Sequence, residues 1–147
     1  MPTLEVTREI PASAEATWQV LSDVASWPEW LPTVSSVRAI DTTTLSPGAR
    51  FAISQPKLVP ATWQVIAVSS PRHFTWTSRA PGVVTVAEHF ISPTSSVRCR
   101  VVLRITFSGP LSWLVTLIFG SLTQRYLDQE AHALQNAVST SSAYHVA

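Results

Sequence analysis

The chain has 147 residues, 46% apolar and only 13% charged, with ten basic residues against nine acidic, a formal net charge of +1, six Trp and one Cys. That length suits one domain whose core closes without disulfides or a structural metal, and the scattered charges exclude a basic track for a nucleic-acid backbone. The lone Cys99 excludes an intramolecular disulfide and a multi-cysteine metal site, and fits a reducing, cytoplasmic setting.

Met1 to Ile10 lacks the apolar run of a signal peptide. Thr3 to Ile10 alternates, with Leu4, Val6 and Arg8 on one side and Glu5, Thr7 and Glu9 on the other, as in a strand with one wet face. Pro11 ends it. Ser13 is placed to cap a helix whose apolar stripe is Ala14, Trp18 and Leu21, so a helix is predicted from Ala14 to Ser22. In Trp27-Pro28-Glu29-Trp30-Leu31-Pro32 the prolines bias their preceding residues away from helical geometry. A second short helix or turn with a tight exit is predicted there.

From Val34 to Phe107 the chain breaks into β-branched and aromatic runs, interrupted at Pro47-Gly48, Pro56 to Pro60, Ser70-Pro71, Pro81-Gly82 and Pro93. Six strands are predicted, and with short turns and no helical pattern between them they should pair as a curling antiparallel meander. Alternation puts Phe51, Ile53 and Gln55 on one face, Trp63 and Val65 on one face, and Phe74, Trp76 and Ser78 in phase. On the last strand Cys99, Val101, Leu103, Ile105 and Phe107 oppose a wet face carrying Arg98, Arg100 and Arg104. The strand from Val83 to Ser92 reads in either phase. A buried unpaired carboxylate costs more than a buried neutral imidazole, which places Glu88 outward and His89 inward.

After Pro110 one long helix is predicted to about Ser139. Leu111, Val115, Ile118 and Leu122 mark one face of its first half, whereas Leu127, Ala131, Leu134 and Val138 mark a roughly opposite face of its second half. Either the helix bends near Gly120, or its first half is packed on both sides. Leu111 to Leu122 is shorter than the ~20 residues that cross a bilayer, so stable membrane insertion is not expected. Residues 140–147, rich in Ser, are expected to be a disordered tail to a single domain over residues 1–139.

The order of a strand, two short helices around Trp27-Pro28-Glu29-Trp30, a six-strand meander and a long C-terminal helix resembles the START and Bet v 1-like superfamily over nearly the whole chain. Thr7-Arg8-Glu9-Ile10-Pro11-Ala12 leading to Thr17-Trp18 and Leu21-Ser22-Asp23 is similar to the small bacterial polyketide cyclase/dehydrase-type proteins of that group. Gln55-Pro56-Lys57-Leu58, Phe74-Thr75-Trp76 and Tyr126-Leu127 look like that group too. The resemblance implies an α+β helix-grip fold: a curved antiparallel sheet of about seven strands around a long C-terminal helix, with two short helices after the first strand. It implies an internal pocket. It does not imply one reaction, because members bind lipids, sterols, polyketides or plant hormones.

The candidate ligand-binding residues are Trp30, Phe51, Gln55, Trp63, Trp76, His89, Leu103, Ile118, Leu122 and Tyr126. The indoles offer broad apolar faces with one N–H donor each, or are plain core. Gln55 offers an amide to a ligand or to neighbouring backbone, and His89 and Tyr126 are the candidates for moving a proton. Trp18 and Trp27 read as core, Trp113 as facing the wide end of the pocket or solvent, and Arg79 as solvated near the entrance. No metal or cofactor motif occurs. Three functions stay open: binding of a small hydrophobic ligand, a polyketide cyclase or dehydratase-type enzyme in the same pocket, and a homodimer or membrane-surface contact through the apolar first half of the long helix.

Overall fold

A computed structural model describes the backbone of residues 1–146 and the side chains of residues 1–139. The tail expected to be disordered, residues 140–147, falls outside the described side chains. Among the described residues, seven strands form one antiparallel sheet: β1 (Thr3–Ile10), β2 (Ser36–Ala39), β3 (Arg50–Ser54), β4 (Ala61–Ser69), β5 (His73–Ala80), β6 (Val83–Ser95) and β7 (Arg98–Ser108). Their order is β1-β7-β6-β5-β4-β3-β2, so the meander runs in sequence from β2 to β7 and β1 closes beside β7. This is the helix-grip fold with the expected six strands after the short helices.

Ser13 caps α1 (Ala14–Ser22) as expected, its hydroxyl accepting from the Ala16 N–H at 3.1 Å. A short 3-10 turn at Val24–Ser26 leads into α2 (Trp27–Trp30), which has Pro28 in its first turn, where a missing N–H costs nothing. The indole N–H of Trp27 donates to the Leu21 carbonyl at 3.0 Å and ties α2 to α1.

The wet arginine face of β7 is as expected. Arg100 reaches Glu9 at 2.8 Å and Arg104 reaches Glu5 at 2.7 Å, each across a register pair of β1 and β7. One strand expectation needs correction. Pro93 does not end β6: the strand continues to Ser95 through a register irregularity between Pro93 and Ser95, where a proline's missing N–H is tolerated. In β5 the expected phase holds, with Phe74 and Trp76 on one face and His73 and Thr75 on the other, but both faces are buried from Phe74 to Thr77. The Thr75 hydroxyl pairs with His73 Nε2 at 2.6 Å, and the Thr77 hydroxyl donates to the Thr85 carbonyl at 3.0 Å. Satisfied hydroxyls bury cheaply.

The long helix α3 is Ser112–Val146. It starts after a turn at Gly109, whose φ of 101° suits glycine, and a Cβ at Gly109 would lie 2.7 Å from the Gly82 carbonyl oxygen. Leu127, Ala131, Leu134 and Val138 are buried, as their stripe predicts. The first half of α3 is not packed on both sides. Leu114, Leu117 and Ile118 lie exposed, and the residues buried there are Ser112 and Gly120.

The core between sheet and α3 centres on Trp76, whose ring packs against Trp27 at 5.3 Å, Phe74 at 5.3 Å, Trp63 at 5.6 Å and Phe51 at 6.1 Å between centroids. Edge and tilted geometries of this kind add to the burial of the rings themselves.

Candidate functional site

Two adjoining cavities lie between the concave face of the sheet and α3. The larger, about 320 Å³, is walled by Trp63, Ile105 and Phe107 of the sheet, by Leu58 and Val59 of the β3–β4 loop, and by Val115, Phe119 and Tyr126 of α3. The smaller, about 60 Å³, lies against Trp27, Trp76, His89 and Leu103. Gln55, Trp63, Ile105, Leu127 and Glu130 line both and form the partition. A wider groove of about 940 Å³, along Gln19, Val20, Asp23, Trp30, His132 and Ala133, is an open cleft of mixed polar and apolar lining. The buried ionisable groups His89 and Glu130 belong to the half-open pair of cavities under α3, which is the better candidate site.

The polar centre of the partition is Glu130. Its side chain keeps 16% exposure, but Oε1 is completely covered and has no hydrogen-bond partner among the described residues. Burial pushes its carboxyl up to about 7. Opposite it, His89 Nε2 stands 3.8 Å from Oε1. Burial pushes the His89 imidazole down to about 3, against a partial counter-effect from the hydrogen bond to the Phe74 backbone. Opposite formal charges at 3.8 Å suggest an ion pair, yet burial disfavours the charged form of each partner, so the contact is not a salt bridge at neutral pH.

The tautomer follows from geometry. His89 Nδ1 lies 3.3 Å from the Phe74 carbonyl, which only accepts, so Nδ1 carries the hydrogen and Nε2 presents its lone pair to Glu130. The separation of 3.8 Å is longer than a hydrogen bond. The site therefore holds a carboxyl that titrates near neutrality beside a neutral imidazole acceptor, in a largely apolar enclosure. Such a carboxyl suits general acid–base work or recognition of a donor group.

Of the residues expected from sequence, Gln55, Trp63 and Tyr126 line the larger cavity, and Gln55, Trp63, Trp76, His89 and Leu103 line the smaller. His89 points inward as expected and is buried. Tyr126 spends its hydroxyl on the Pro56 carbonyl, pinning the β3–β4 loop to α3 at the cavity wall. Four placements need correction. Ile118 is 61% exposed and turns away from the cavities, because the inward side of that turn is taken by Val115 and Phe119. Leu122 is half-buried and outside both linings. Phe51 is fully buried against Trp76, behind the cavity wall. Trp30 lines the open groove on the other side of α2 instead. Trp113 faces solvent, at 69% exposure, and Arg79 is exposed.

Glu130 was absent from the candidates, although a signal for it exists. Leu127, Glu130, Ala131 and Leu134 stand at i, i+3, i+4 and i+7, which puts one carboxyl on the buried stripe of α3. Among the described residues, no group of three or more His, Cys, Asp or Glu side chains is placed to hold a metal ion, and no helix is long and apolar enough to cross a membrane.

A curved antiparallel sheet closed on a long C-terminal helix, with an apolar cavity between them, defines a helix-grip protein of the Bet v 1-like class. The chain belongs to the family described as polyketide cyclase / dehydrase and lipid transport, whose sequence profile matches residues 1–139. Comparison with curated protein sequences finds no match. Among solved structures it is similar to norcoclaurine synthase from Thalictrum flavum in complex with dopamine and hydroxybenzaldehyde, with a TM-score of 0.76 and 18% identity over 95% of this chain and 87% of that one. It is similar to the Zhui aromatase/cyclase of a Streptomyces species, with a TM-score of 0.75 and 17% identity over 94% of this chain and 93% of that one. The protein XoxI from Bacillus cereus matches with a TM-score of 0.69 and 20% identity over 94% of this chain and 96% of that one. At these identities the likeness is one of fold.

Proposed function

We propose that the protein binds a small hydrophobic ligand, lipid- or polyketide-like, in the cavity between the sheet and α3. The observation that carries this reading is the half-open, mostly apolar cavity of about 320 Å³ walled by Trp63, Ile105, Phe107, Val115 and Phe119. Burying about 200 Å² of apolar ligand surface there is worth about 5 kcal/mol, and Gln55 and Glu130 supply polar contacts for orientation. The family's description, which names lipid transport beside cyclase and dehydrase activity, supports the same reading. The single buried thiol of Cys99 is in keeping with a cytoplasmic setting.

A second reading, an enzyme of the cyclase or dehydratase kind, is favoured by the Glu130–His89 arrangement, since a carboxyl near 7 exchanges protons readily at neutral pH. Two enzymes of similar fold, norcoclaurine synthase and the Zhui aromatase/cyclase, lend it support. Exposure of Leu114, Leu117 and Ile118 supports, as a separate property, self-association or membrane-surface contact through the first half of α3.

The test is an apolar fluorescent probe added to the purified protein. Binding predicts saturable entry with a change in Trp emission, and displacement by lipid or polyketide extracts. Catalysis predicts in addition a pH-dependent turnover that Glu130→Gln abolishes while probe binding survives. A probe that never saturates, with native mass spectrometry finding no retained small molecule, sinks both.

A further inference from the structure

Glu130 lines both cavities and His89 lines the smaller, and each offers an acceptor. Glu130 Oε1 has no donor among the described residues, and His89 Nε2 presents a lone pair because Nδ1 is committed to the Phe74 carbonyl. A buried carboxyl short of donors is costly, and a ligand that brings a donor to the part of Glu130 that lines the cavities lessens that cost. We propose that Glu130 makes the cavity selective for hydrophobic ligands whose polar end donates a hydrogen bond, an organic ammonium most strongly, and selects against organic acids. The inference rests on the ligand-binding reading and narrows its ligand class.

Three further observations point the same way. Among the described residues no Lys, Arg or His side chain lines the larger cavity, so an organic acid bound there would face Glu130 with no cation from them to offset the repulsion. Arg104 is at the edge of the smaller cavity, but its guanidinium is held by Glu5 at 2.7 Å and lies 3.7 Å from Glu88. Trp63, Phe119 and Tyr126 ring the same space, and aromatic faces attract an organic cation. Gln55 does not discriminate, since its amide both donates and accepts.

The test uses four probes that share one naphthyl ring: ethylnaphthalene, naphthylethanol, naphthylethylamine and naphthylacetate. Dissociation constants are measured by Trp fluorescence and calorimetry at about pH 8, above the Glu130 value of about 7. The amine is expected to bind the wild-type protein about 10- to 100-fold more tightly than ethylnaphthalene, the range of one buried charge-assisted hydrogen bond. The alcohol should fall between them, and naphthylacetate should bind more weakly than ethylnaphthalene. In Glu130→Gln the ratio of amine to ethylnaphthalene affinity should shrink below about threefold. If ethylnaphthalene binds but the amine has no advantage, or naphthylacetate binds as well as the amine, the selectivity is overturned and the binding function stands. If none of the four binds wild-type protein, the binding function itself falls. The wild-type ranking decides the matter even should the variant fold poorly.

Discussion

The imidazole of His89 lies flat on the ring of Phe74, with centroids 3.9 Å apart and planes 8° apart, and the two residues are direct partners in the β5–β6 ladder. One cross-strand neighbour thus stacks the imidazole, takes its Nδ1 hydrogen and aims Nε2 at Glu130. The histidine is held in place by the fold itself.

Truncation of that ring should be felt in the fold. His89→Ala removes a buried aromatic that also touches Trp27 and Trp76, and a loss of about 2–4 kcal/mol is expected from the cavity left behind. Urea unfolding followed by Trp emission reads it; an unchanged midpoint would show that His89 is not packed as described.

Stability should depend on pH through two opposed groups. His89, lowered from 6.5 to about 3 in the folded state, contributes stability that is complete above about pH 6.5 and is lost as pH falls toward 3. Glu130, raised from 4.5 to about 7, contributes stability that is present below about 4.5 and is lost as pH rises through 7. Between roughly 4.5 and 6.5 the two slopes offset each other. Glu130→Gln removes the second, so the variant should exceed wild type by about 1–3 kcal/mol at pH 8 and lose that margin near pH 4. Thermal melts across that range check the sign.

Trp76 and Trp113 should behave as opposites. Trp76 sits among five aromatic rings, those of Trp27, Phe51, Trp63, Phe74 and His89, and Trp76→Ala should cost about 3–5 kcal/mol. Trp113 is 69% exposed, and Trp113→Ala should stay within about 0.5 kcal/mol. Chemical denaturation of the two variants side by side is sufficient.

Tyr126→Phe deletes the hydroxyl that donates to the Pro56 carbonyl and leaves the ring in place. A loss of about 0.5–1.5 kcal/mol is expected, with faster amide exchange confined to residues 55–60 and faster probe entry. Exchange that accelerates evenly over the whole sheet would contradict the local role.

The strands were legible because Pro and Gly punctuate them and because Arg98, Arg100 and Arg104 mark one face of β7 unambiguously. Pro93 misled, since a proline at a strand irregularity looks in sequence like a proline at a strand end. The second half of α3 was legible from its stripe. Its first half was not, because Leu114, Leu117 and Ile118 are apolar and exposed, and periodicity reads apolar as buried. The site was legible in its aromatic and histidine members, which the strand phase turned inward. Glu130 escaped because a carboxyl on a helix reads as solvated unless its neighbours at i−3, i+1 and i+4 are weighed with it.

The pairing of β1 with β7 joins Glu9 to Arg100 and Glu5 to Arg104, so the sheet is completed by strands some ninety residues apart along the chain. Hairpins from β2 through β7 assemble from near neighbours, whereas this last seam requires the closure of a very long loop before any of its hydrogen bonds form. Folding kinetics should accordingly show the slowest protection on the amides of β1. A nascent chain would carry β1 without its partner, and liable to stick to other strands, until β7 emerged to pair with it.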